Sequence, residues 1–176
     1  MKRANIEDYI KTIPDFPEPG IMFRDVTSLI QDPDGLKEGV DALLNDLKDV
    51  EFDLIVGAEA RGFIFGAPIA YMLGKGFVPA RKPGKLPREA VKREYDLEYG
   101  KAAIEIHKDA IRPGDRVVII DDLIATGGTI EAISGLVEEL GGTVVRICFL
   151  MELEGLKGRD RLKKYDVSSI IRYPGK

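Results

Sequence analysis

The steepest contrast along the chain falls at Val117, Val118, Ile119 and Ile120, four β-branched apolar residues that run straight into Asp121 and Asp122. A run this short and apolar reads as a strand buried on both faces, here ending in a pair of carboxylates. Small residues follow over 125–129. Then Ile130, Ile133, Val137 and Leu140 recur at helical spacing, which predicts an amphipathic helix. The same order of strand, turn and helix occurs earlier. Residues 53–57 read as a strand, 58–62 as a turn, and 63–73 as an apolar helix stopped by Gly74. Further strands are predicted at 76–80, at 143–151 and, on the sheet edge, at 167–171, with a polar helix over 155–164. Asp32 is placed to cap a helix over 33–48 with Pro33 at its first position; Leu36, Val40, Leu43, Leu44 and Leu47 form its apolar face. Strands alternating with helices predict an α/β fold, a mostly parallel central sheet flanked by helices with right-handed crossovers, in one domain spanning 1–176.

The ends of this pattern are less regular. Asn5 is placed to cap a short helix over residues 6–12. Pro14, Pro17 and Pro19 then impose a stiff, extended segment. Residues 21–27 read as an apolar loop in which Arg24 and Asp25 form an ion pair. Residues 89–96 are highly charged and show no period, whereas 102–106 alternates weakly, as the partner strand of a hairpin would.

Charge and cysteine usage narrow the class. The formal net charge of −4 argues against a general nucleic-acid binder. No apolar run reaches membrane-spanning length, and residues 1–20 lack the apolar stretch of a signal peptide. The lone cysteine, Cys148, lies in the apolar run 144–151 and is expected to be a buried strand thiol in a cytoplasmic protein. The lone histidine, His107, has no obvious catalytic partner and is expected to be structural.

The chemistry gathers after the central strand. A loop of Ala125, Thr126, Gly127, Gly128 and Thr129 offers close-approaching backbone N–H groups, two hydroxyls and the N-terminus of the following helix, which together make an anion site. No Lys or Arg lies between Asp121 and Thr129. Asp121 and Asp122 would repel a phosphate placed on them but suit sugar hydroxyls or Mg²⁺. A phosphorylated sugar satisfies both halves. An apolar strand ending in an acid also resembles a Walker B element, but that reading needs a Walker A loop. Gly57 and Gly62 have the glycine spacing and are followed by Phe63 and Ile64, not by Lys and Ser or Thr.

Residues 121–129 closely resemble the phosphoribosyl pyrophosphate (PRPP) loop of type I phosphoribosyltransferases, and other segments resemble the branch of that family that acts on adenine. The likeness runs from about Pro14 to Pro174. It implies a small N-terminal base-binding hood over about 1–30 and a basic loop and flexible lid over about 82–98. It implies that Phe23 and Arg24 read adenine largely through the main chain. Glu59, Ala60 and Arg61, in Glu-Ala-Arg-Gly-Phe, resemble the pyrophosphate loop, for which a cis peptide is expected at Glu59–Ala60. Arg81, Lys82 and Lys85, in Arg-Lys-Pro-Gly-Lys-Leu-Pro, match the segment that supplies positive charge to the pyrophosphate, with Arg81 reaching the neighbouring subunit of a homodimer. Glu98, in Leu-Glu-Tyr-Gly, matches the residue placed near the attacking purine nitrogen. Glu98 and Arg61 are therefore the catalytic expectations, with Asp121, Asp122 and residues 125–129 binding ribose and phosphate. The implied substrates are adenine and PRPP. Mg²⁺ is the implied cofactor, held mainly by PRPP near Asp121 and Asp122. No nucleic-acid or membrane partner is implied.

Two rival readings remain at this point. One is a transferase acting on an oxo-purine, which would require a donor in the hood that Phe23, Arg24 and Asp25 do not obviously supply by side chain. The other is a PRPP-sensing regulator without turnover; the presence of Arg61, Glu98 and the lid segment favours the enzyme.

Overall fold

The computed structural model describes residues 5–97 and 100–175. Its centre is a parallel five-stranded sheet in the order β4-β3-β7-β8-β9, formed by β3 (Leu54–Ala58), β4 (Gly76–Ala80), β7 (Arg116–Ile124), β8 (Thr143–Leu153) and β9 (Val167–Tyr173). Side-chain alternation sorts each inner strand between two cores. Val56, Val117, Ile119, Ile147 and Phe149 face one side, packed against α4 (Gly128–Glu139). Ile55, Val118, Ile120, Cys148 and Leu150 face the other, against α1 (Val26–Gln31), α2 (Pro33–Asp46) and α3 (Arg61–Leu73). Burial on both faces explains why these strands read as continuous apolar runs. Cys148 is fully buried, as expected. Burial pushes its thiol well up, which leaves it unreactive.

The helix ends follow local chemistry. The Asp32 carboxylate accepts the N–H groups of Asp34 (2.9 Å) and Gly35 (3.0 Å), with Pro33 opening α2. α3 stops at Gly74, whose φ of 63° is left-handed and whose N–H turns back to Ala70 and Tyr71 carbonyls.

Several expectations are corrected. The predicted helix over 6–12 is a single 3₁₀ turn, Ile6–Tyr9, after which β1 (Lys11–Pro14) pairs antiparallel with β2 (Met22–Asp25). Ile13 precedes a proline, which disfavours helix and extends the chain. Residues 22–25 are therefore a strand and not a loop. Arg24 and Asp25, as strand neighbours, point apart and form no ion pair. Arg24 hydrogen-bonds the Thr12 hydroxyl and lies over the Tyr173 ring, 4.1 Å from its centroid, while Asp25 caps α1 through the Thr27 N–H at 2.9 Å. The polar helix over 155–164 is two 3₁₀ turns, Glu154–Leu156 and Gly158–Leu162, separated by Lys157 at φ 54°.

The unreadable charged stretch is also ordered. β5 (Ala90–Leu97) pairs with β6 (Gly100–His107) along its whole length, from Ala90 opposite His107 to Leu97 opposite Gly100. Only Val91 and Tyr95 of this strand pack on the core, so a ribbon exposed over most of its surface leaves little apolar period. His107 is buried where the hairpin meets the body. The Arg88 main-chain N–H donates to its Nε2 at 3.4 Å, and the Arg88 guanidinium lies 3.3 Å from Nδ1. This is the structural role expected of it.

Candidate active site

The strand order places the site. From β3 the chain crosses through α3 to β4 on one side of the sheet. From β7 it crosses through α4 to β8 on the other. β3 and β7 are neighbours, so the connections diverge between them and leave a crevice at their carboxyl ends, where ligands bind in open α/β sheets. Both loops singled out in the sequence leave the sheet there.

The loop after β7 encloses a cavity of about 100 Å³ lined by Asp121 and residues 123–130. Gly127 has φ 82° and precedes the first residue of α4, so the cavity opens onto that helix's unpaired N–H groups. The Thr129 hydroxyl donates to the Tyr95 hydroxyl at 3.1 Å, tying the β5–β6 hairpin to the loop. Ala125, Thr126, Gly127, Gly128 and Thr129 are thus brought together as the residue pattern anticipates.

The loop after β3 carries the cis peptide Glu59–Ala60 and then Arg61, the first residue of α3. Arg61 Nε lies 2.6 Å from Asp122 Oδ2; the carboxylate is buried and the guanidinium half-exposed. Strand alternation turns Asp122 toward α3 and into this pair. Asp121 stays at the rim of the phosphate-sized cavity, where its Oδ1 accepts the Asp122 N–H at 2.8 Å. Desolvation, followed by the charge of Asp122, pushes the Asp121 carboxyl well above the usual carboxylate range. The two carboxylates therefore differ in setting: Asp122 is paired with an arginine, whereas burial and its neighbour make Asp121 shed its proton reluctantly.

A second, larger cleft of about 330 Å³ opens beside the first, lined by Ile13, Phe16, Phe23, Asp25, Val26, Thr27 and Arg61. Phe16 and Phe23 meet edge to face, with centroids 5.1 Å apart. Their exposed faces form an apolar slot of the kind that takes a planar ring. Phe23 lines it as expected, whereas the Arg24 side chain leaves it for Thr12 and Tyr173, so only the main chain of Arg24 is available to a ligand there. Ile13, Phe16 and Thr27 were not foreseen. Their signal was the β1–β2 hairpin, hidden by the prolines.

The remaining expected residues are dispersed. Glu59 does not face the cavities. Its carboxylate accepts the Lys82 N–H at 2.6 Å and lies 3.3 Å from the Arg81 guanidinium. Desolvation raises its pKa, but those two partners outweigh it and hold the carboxyl below its usual range. Arg81 is bridged through its main chain to Glu105, and Lys82 and Lys85 are exposed. Glu98 lies outside the described residues. Among the described residues no group of three or more His, Cys, Asp or Glu is spaced to hold a metal, and no helix is long and apolar enough to cross a membrane.

Known proteins share this arrangement. Residues 29–174 match the phosphoribosyl transferase domain family. An adenine phosphoribosyltransferase of Lachnoclostridium phytofermentans is 64% identical over 171 residues, covering 97% of this chain and 98% of that protein. The crystal structure of adenine phosphoribosyltransferase from Thermoanaerobacter pseudethanolicus superposes with a TM-score of 0.92 at 54% identity, covering 96% of this chain and 98% of the other. That of the Saccharomyces cerevisiae enzyme, complexed with D-2,5-dideoxy-2,5-imino-altritol 1,6-bisphosphate and adenine, gives 0.88 at 42% identity over 94% and 96%. With a phosphate-sized cavity and an aromatic slot linked through the Arg61–Asp122 contact at the switch point of a parallel sheet, and with relatives this similar over nearly its whole length, the chain belongs to the adenine phosphoribosyltransferases of the type I phosphoribosyltransferase family.

Proposed function

We propose that the chain transfers the 5-phosphoribosyl group of PRPP to adenine, giving AMP and pyrophosphate. The observation that carries this reading is the Arg61–Asp122 pair, which ties Arg61 of the base slot to the residue next to Asp121 of the phosphate cavity. A base in the slot and a sugar phosphate on the loop would meet at that pair. The yeast relative was crystallised with a bisphosphate and adenine together, which supports the same pairing of ligands.

The chemistry required is mainly positional and electrostatic. The ribose carbon acquires cationic character as its bond to pyrophosphate breaks and negative charge grows on the leaving group. Residues 125–129 grip the remote phosphate, and that binding energy orients the sugar. Asp121 faces the ribose hydroxyls from the rim of the loop. Asp122 holds the Arg61 guanidinium in place, from where its charge acts on the leaving pyrophosphate, with Arg81 and Lys85 as further cations. Phe16 and Phe23 stack the purine. The strand paired to β1 on one side presents main-chain donors and acceptors suited to an amino-purine edge. Glu98 is assigned to the purine proton.

Mg²⁺ fits this site as a companion of PRPP, because of the two carboxylates at the end of β7 Asp121 is raised in pKa and Asp122 is committed to Arg61. Bound there, it neutralises pyrophosphate charge. A cytoplasmic homodimer is also proposed. Tyr71 (88% exposed), Met72 and Leu73 form an apolar surface at the end of α3 that suits a second copy. Sedimentation equilibrium at the chain mass, instead of twice it, would refute the dimer.

The function itself is tested by pyrophosphate release from PRPP and Mg²⁺ with adenine, hypoxanthine, guanine and xanthine offered separately. Turnover with adenine alone is expected. Turnover with an oxo-purine would overturn the base assignment, and PRPP binding without turnover on any base would overturn the enzyme.

A further inference from the structure

The segment after β8 has no assigned role, yet it forms the underside of the phosphate loop. In the β7–β8 register Glu152 lies opposite Ile124, level with the point where that loop leaves the sheet. Six residues on, Gly158 is buried against the loop itself. A Cβ added to Gly158 would lie 2.4 Å from the Ala125 carbonyl oxygen. One added to Gly127 would lie 2.6 Å from the Gly158 carbonyl oxygen. Two backbones this close leave no room for a side chain between them.

What fixes the lower backbone is its neighbour. Arg159 Nε donates to both oxygens of Glu152, at 2.8 and 2.9 Å. One terminal nitrogen donates to the Val167 carbonyl (2.7 Å) and the other to the Ser169 hydroxyl (3.1 Å), which in turn donates to Glu152 at 2.7 Å. Glu152 is 5% exposed, so this fork is held where water competes little. A second tie runs from Arg161 to Glu131, in the first turn of α4, at 3.1 Å.

We propose that Arg159 is a positioning residue for the phosphate loop: clamped by Glu152 and Ser169, it holds the Gly158 backbone as the floor that fixes Ala125 and Gly127, and with them the N–H groups that grip the PRPP phosphate. The proposal rests on the reading of residues 125–129 as the phosphate site. Arg159 touches neither substrate; it acts through Gly158.

The test is steady-state kinetics with PRPP and adenine varied separately, on Arg159→Lys, Gly158→Ala and, as a reference within the loop, Thr126→Val. Lysine keeps the charge but cannot form the fork. KM for PRPP should rise about ten-fold in the first two variants while KM for adenine stays within about two-fold, since misplacement of order 1 Å can cost about a hundred-fold. A variant that was merely less stable would lose maximal rate through a smaller folded fraction and keep its KM. An unchanged PRPP KM in Arg159→Lys and Gly158→Ala, with a raised one in Thr126→Val, overturns the floor and leaves the loop assignment standing. No change in any of the three overturns both. A parallel rise in both substrates' KM also overturns the proposal. Ser169→Ala, which removes one contact of the clamp, covers the case in which Arg159→Lys does not fold: a smaller, PRPP-specific rise supports the proposal and no rise overturns it.

Discussion

Replacing Gly62 by alanine tests whether the two loops of the candidate site are set by direct backbone packing. Gly62 is the second residue of α3 and is buried against the end of β7. A Cβ at this position would lie 2.7 Å from the Ile120 carbonyl oxygen, 3.1 Å from Asp121 Oδ1 and 3.3 Å from Asp121 Cα. Ordinary contact begins at 3.4 Å, so helix and strand must part by 3.4 − 2.7 = 0.7 Å at that point. The obstructing atom is main chain in the central strand and cannot swing aside. Overpacking of this kind costs about 1–3 kcal/mol. In a domain of this size that lowers Tm by roughly 2–12 °C. Arg61 is the adjacent residue and moves with the helix, away from the carboxylate it contacts at 2.6 Å. Since displacement of order 1 Å can cost about a hundred-fold, kcat/KM should fall by about ten- to a hundred-fold.

Pyrophosphate release and thermal unfolding read the two effects separately. Gly74→Ala, at the far end of the same helix, is the control. Its φ of 63° makes alanine strained by about 1–2 kcal/mol, but nothing lies within 4 Å of the added carbon. It should lower Tm and leave kcat/KM within about two-fold of the parent, since no catalytic geometry is displaced. If Gly62→Ala loses no more activity than Gly74→Ala at a similar loss of Tm, close packing does not set the Arg61–Asp122 geometry, and the reasoning fails.

Two further outcomes concern stability. The Glu152 carboxyl is desolvated, yet Arg159 and Ser169 hold it below its ordinary value of 4.5. Its contribution is therefore present above that value and lost as pH falls through the lower folded value; Glu152→Gln should flatten the fall in urea midpoint below pH 4.5, and a slope equal to the parent's would refute the linkage. Asp32→Ala removes the cap of α2 and should cost about 1 kcal/mol with no change in kcat/KM, checked by urea unfolding and the release assay; a loss of activity would mean that α2 reaches the site.

The legible part of the fold was the part buried on two sides. Residues 117–120 and 147–150 could be read because both faces of each strand are core, and α2 and α3 because Asp32, Pro33 and Gly74 mark their ends with specific backbone chemistry. The hood was misread because β1 and β2 are four residues each and hold together through main-chain pairing, which leaves no period in the side chains. Residues 90–97 were opaque for a related reason: a two-stranded ribbon whose outer positions are Lys92, Glu94 and Asp96, with Arg93 on the inner face, looks like a solvated loop. In the site, the loop residues were legible from composition. The pairing of Arg61 with Asp122 was not, because it depends on which face of β7 each aspartate takes. Gly158 carried no signal, since its role is the absence of a side chain beneath a loop some thirty positions away.

The hood's construction limits how its preference can change. β2 pairs with a single partner strand, and on the proposed reading its main chain, not its side chains, recognises the base edge. Point substitutions alter side chains but leave the order of N–H and C=O along a strand untouched. Swapping an amino-purine for an oxo-purine would require donor and acceptor to trade places, which a one-residue insertion or deletion in residues 15–21 achieves by sliding the register. Base preference in such a scaffold should therefore diverge by length change in that turn, and libraries built by single-residue randomisation of the slot should yield weaker or tighter adenine enzymes more readily than enzymes for a new base.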